Sequence, residues 1–82
     1  MKKERKAKSA VTMFVDKLSK EQIERIIHDY DVQSVEGSIG DCELRRQAVT
    51  IMKELHADGM VVLWMETVYR EALAYMYYNS ED

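Results

Sequence analysis

Residues 18–23 read LSKEQI, and this short stretch decides the architecture. Ser19 and Gln22, three apart, form a capping box in which the serine hydroxyl accepts the Gln22 backbone N–H and the glutamine side chain reaches back to the Ser19 N–H. Leu18 just before the cap and Ile23 at the fourth helical position supply the matching hydrophobic staple. One helix therefore ends near Leu18 and a second begins at Lys20, with almost no linker. Upstream, Val11, Phe14, Val15 and Leu18 repeat at helical spacing on one face. Nothing before Val11 reads as a breaker, so the first helix is expected over 4–18. Downstream, Ile23, Ile26, Ile27 and Tyr30 continue the pattern and place the second helix over 20–31.

Residues 31–40 read as a loop, with Gly37, Gly40, Ser34 and Ser38 between the apolar pegs Val32, Val35 and Ile39. Asp41 is suited to N-cap a third helix over 41–58, whose stripe is Leu44, Ala48, Ile51, Met52 and Leu55. Asp58-Gly59 closes it, with Gly59 as the expected left-handed C-cap. A fourth helix over 60–78 follows at once. The expectation is an all-α, compact four-helix domain spanning 9–82, preceded by a basic arm at 1–8.

Composition agrees with that reading. The chain has 82 residues, no proline and three glycines, a scarcity of breakers that favours long helices over tight turns. An apolar fraction of 46% with a third of the residues charged is that of one packed domain. The single cysteine, Cys42, cannot form an internal disulfide, which points to a reducing compartment and hence the cytoplasm. The run of six apolar residues at 60–65 is far too short to span a membrane.

The fourth helix carries more apolar surface than its own core needs. From Met60 to Tyr78, fifteen of nineteen residues are apolar or aromatic, and Glu66, Thr67, Arg70 and Glu71 are the four exceptions. These four fall within an arc of about 140° on a helical wheel. Val61, Met65, Val68, Tyr69, Ala72 and Met76 lie opposite and form the expected core stripe. Leu63, Trp64, Tyr77 and Tyr78 sit at or inside the polar arc, and so small a domain has limited interior to receive them. Tyrosine, tryptophan and methionine are enriched where proteins meet one another. The expected binding surface is Trp64, Tyr75, Tyr77 and Tyr78 with Leu63 and Glu66, and its partner is another protein or a second copy of the chain. That is the pattern of a small regulator, adaptor or inhibitor, of the accessory kind that phages also encode.

Charge suggests an alternative. Residues 2–8 sum to +4, while 9–82 carry −7, for a net charge of −3. Lys2, Lys3, Arg5, Lys6 and Lys8 could contact nucleic acid together with Arg45 and Arg46 on the third helix. Against this stand the acidic body and a loop of about ten residues where a helix-turn-helix has three or four.

Nothing in the sequence points to catalysis. His28 and Asp31 are one helical turn apart, but a metal needs three or four convergent ligands, and Glu54, His56 and Asp58 at two-residue spacing point apart on a helix. Cys42 is flanked by Asp41 and Glu43, which oppose thiolate formation. No phosphate-binding glycine loop occurs. The chain is expected to be a non-enzyme without metal or cofactor.

Overall fold

Ser9 opens the first helix. Its side chain accepts the Thr12 backbone N–H at 3.2 Å, and its own backbone N–H donates to Thr12 Oγ1 at 3.3 Å, a capping box built with threonine at the third position. In the computed structural model, residues 9–36 and 42–79 are described, and four helices run in order: α1 (Ala10–Asp16), α2 (Lys20–Glu36), α3 (Glu43–Leu55) and α4 (Val61–Tyr78). The domain is all-α and four-helical, with no strand among the described residues.

Three helices depart from the sequence reading, the first of them ending at Asp16 as well as starting late. The first helix does not run back from Val11 toward residue 4, because Ser9 adopts extended backbone (φ −83°, ψ 174°) and caps it. The basic arm itself lies outside the described residues. The second helix continues past Asp31 to Glu36, since neither glycine nor proline interrupts the chain before Gly37. Val32 is therefore a helical residue and not a loop peg. The third helix is shorter than 41–58 at both ends. Cys42 occupies its N-cap with extended backbone and gives no side-chain cap bond, and Asp41 is outside the described residues. Asp29, on α2, supplies the missing cap: one carboxylate oxygen accepts the backbone N–H groups of Glu43 at 3.0 Å and Leu44 at 3.4 Å.

At the other end of α3, His56 and not Gly59 takes the left-handed position, with φ 51° and ψ 40°. Its backbone N–H bonds the Lys53 carbonyl, and that of Ala57 bonds Met52, which closes the last turn. Gly59 lies in the turn beyond at φ 122°, a conformation that side chains rarely adopt. The capping box at Ser19 is as expected: Gln22 N donates to Ser19 Oγ at 3.1 Å, and Ser19 N donates to Gln22 Oε1 at 2.9 Å.

Helix α4 is the platform on which the other three rest, and α2 also packs along α3. The core joins Val11 and Val15 of α1, Ile23 and Ile26 of α2, Leu44, Ala48 and Ile51 of α3, and Met65, Val68 and Ala72 of α4. Leu18 packs against it from the α1–α2 junction, so the staple residue is also a core residue. Two further contacts tie α4 down. Buried Thr12 donates its hydroxyl to Glu71 Oε2 at 3.0 Å, and Tyr30 stacks on Tyr69 with ring centroids 3.8 Å apart.

Candidate protein-binding surface

One face of α4 closes the core, and the opposite face meets solvent. Leu63 is 59% exposed, Tyr77 56%, Val62 45% and Leu73 41%. Between the two ends of this face, Arg70 Nη2 pairs with Glu66 Oε1 at 2.6 Å, one helical turn apart. An outward helix face of this kind would ordinarily be dominated by charge. Here four large apolar side chains flank a single ion pair.

Of the six residues expected to bind a partner, Leu63, Glu66 and Tyr77 lie together on this face. Trp64 and Tyr75 are half-buried on the flank of the core cluster. The Trp64 indole N–H points to the Asp58 carbonyl at 3.4 Å, across the turn between α3 and α4. Tyr78 is half-buried and meets the Tyr77 ring edge-on, with centroids 5.0 Å apart. Val62 and Leu73 complete the exposed surface, two aliphatic residues that a composition weighted toward aromatics does not single out. Their helical register relative to Leu63 and Glu66 was the signal that could have found them.

The residues considered for nucleic acid are placed differently. Arg45 and Arg46 are both exposed on α3, and Arg46 pairs with Glu43 at 3.1 Å. Lys2, Lys3, Arg5, Lys6 and Lys8 are outside the described residues. Beside Arg46, a groove of about 400 Å³ runs between α2 and α3, and its lining mixes Arg25 and Arg46 with Glu21, Asp29 and Glu43. Charges of both signs there work against phosphate binding. The Gln47 side-chain amide donates to the Glu43 carboxylate and holds it below its ordinary pKa of 4.5; partial burial opposes the shift, and Arg46 adds to it.

His28 lies 3.8 Å from Asp29, whose carboxylate already serves the start of α3. Among the described residues, no three His, Cys, Asp or Glu side chains converge to hold a metal ion. None of the described helices is long and apolar enough to cross a membrane. No family model, curated protein sequence or solved structure matches the chain.

Proposed function

We propose that the protein acts by binding another protein surface, as a small cytoplasmic adaptor, regulator or inhibitor, and that the outward face of α4 is its contact. One observation carries this reading: Val62, Leu63, Leu73 and Tyr77 are exposed together on a helix whose opposite face has already closed the core. Leaving them in water is unfavourable, and a partner that covers them gains roughly 25 cal/mol for each Å² of apolar area removed. In this reading the chain performs no chemistry of its own.

The test is affinity capture from lysate with the wild-type chain and a Leu63→Ala/Tyr77→Ala variant. Both side chains are exposed, so circular dichroism should show the fold intact. Retention of the specific partner should fall about tenfold or more, since a buried aromatic anchor such as Tyr77 commonly contributes ~2 kcal/mol. Equal recovery by the two proteins would remove α4 from the contact.

A further inference from the structure

Along the outward face of α4, Leu63, Glu66, Arg70, Leu73 and Tyr77 follow one another at steps of 3, 4, 3 and 4 residues. These are the a and d positions of a heptad, the seam through which one helix packs on another. The core-facing residues Met65, Val68 and Ala72 fall at c and f, on the other side of the helix. Helix α4 thus has two seams, and the three other helices cover one of them.

The order along the outer seam is apolar, acidic, basic, apolar. Such an order complements itself only when reversed. Resting on the reading of α4 as a protein contact, we propose that its occupant is a second copy of this chain, with the two α4 helices antiparallel about a two-fold axis near the level of Val68. Antiparallel pairing sets a against d. Leu63 then faces Leu73 of the second copy, and Glu66 faces Arg70 of the second copy, on both sides of the axis. The ion pair within each helix joins the two across the axis into a network of four alternating charges, which is worth more than isolated surface pairs. Tyr77 reaches the level of Met60, itself 66% exposed at the start of the helix.

A parallel pair would instead oppose Glu66 to Glu66 and Arg70 to Arg70, and like charges facing each other disfavour it. The flanking positions beside the seam include the small residues Thr67 and Ala74, which permit the close approach of ~8–10 Å that packed helices need. Helix α4 is already ordered by its packing in the domain, so pairing requires no helix formation.

Sedimentation velocity at high micromolar concentration tests the pairing. The wild type should be a dimer, and Glu66→Arg alone or Arg70→Glu alone should weaken it about tenfold or more. Mixing those two variants should restore association, because each then faces opposite charge. In a Cys42→Ser background, Leu63→Cys mixed with Leu73→Cys should form the mixed disulfide on oxidation. A disulfide between two Leu63→Cys chains would overturn the antiparallel arrangement. A dimer indifferent to both charge reversals would overturn the seam, and a monomeric wild type would overturn self-pairing altogether. In that last case, partner capture still lost in Leu63→Ala/Tyr77→Ala would leave α4 as a contact for a different protein.

Discussion

At the start of α2 the cap is made by two residues three apart in sequence, Ser19 and Gln22. At the start of α3 it is made by Asp29, fourteen residues upstream of the amide it holds and on a different helix. The orphan N–H groups of a helix start must find acceptors in both cases. The first cap stabilises one helix; the second also fixes where α3 sits against α2. A local cap is a property of a segment, and a borrowed one is a property of the fold.

The largest effect should come from the apolar half of the local junction. Leu18→Ala removes the staple and a side chain packed on the core, and should cost about 2 kcal/mol or more in denaturant melts. A neutral result would mean that the α1–α2 junction is held by its polar cap alone.

Next comes the direct contest between the two caps. Asp29→Ala leaves the backbone N–H groups of Glu43 and Leu44 without their acceptor and withdraws a carboxylate from the positive end of α3. It should cost about 1–2 kcal/mol, against roughly 1 kcal/mol or less for Ser19→Ala at its exposed site. If Asp29→Ala proves the milder of the two by chemical denaturation, the start of α3 depends on something other than this carboxylate.

The smallest effect is one of pH. Glu43, in the first turn of α3, has its carboxyl held below 4.5, chiefly by the Gln47 amide. The unfolded chain therefore takes up that proton more readily than the folded one, and stability rises with pH through the acid range. The Glu43 contribution should be present above about pH 4.5 and fade as pH falls through the lowered folded value. Glu43→Gln should flatten this part of the stability profile. Superimposable profiles for variant and wild type would show that Glu43 is not the group responsible. The Ser19–Gln22 cap has no proton to gain over this range, so the start of α2 should respond less.

These differences also explain what could be read from the chain before its structure. The Ser19 box and the buried residues of every helix were legible because they depend on spacing within a segment. Leu55, expected in the α3 stripe, is instead 39% exposed at the last position of that helix, where the turn toward α4 leaves nothing of the core cluster over it. The α4 boundary was legible to within a residue. The Ser9–Thr12 box was missed because threonine stands where glutamate or glutamine is usual. Local pattern places the start of α3 at Asp41, because no sequence pattern announces a cap supplied from α2. Histidine at a left-handed C-cap is not legible when a glycine, the usual residue there, stands three positions on. For the surface, composition points to α4, but composition weights aromatic residues equally whichever way they point. Trp64 and Tyr75 turned to the core flank, while the less conspicuous Val62 and Leu73 turned outward.

The dependence of every helix on α4 has a consequence for the order of events on the ribosome. Helix α1 is made early, yet its chief partner is α4, and the hydroxyl of Thr12 meets its acceptor fifty-nine residues later. At roughly 5–20 residues per second, synthesis leaves Val11 and Val15 waiting some seconds for the surface that buries them. A helix of seven residues is too short to persist alone through that interval. Folding of this domain is therefore completed by its last helix, and a chain stalled at the α3–α4 turn would present an uncovered apolar α2–α3 pair to whatever chaperone is near.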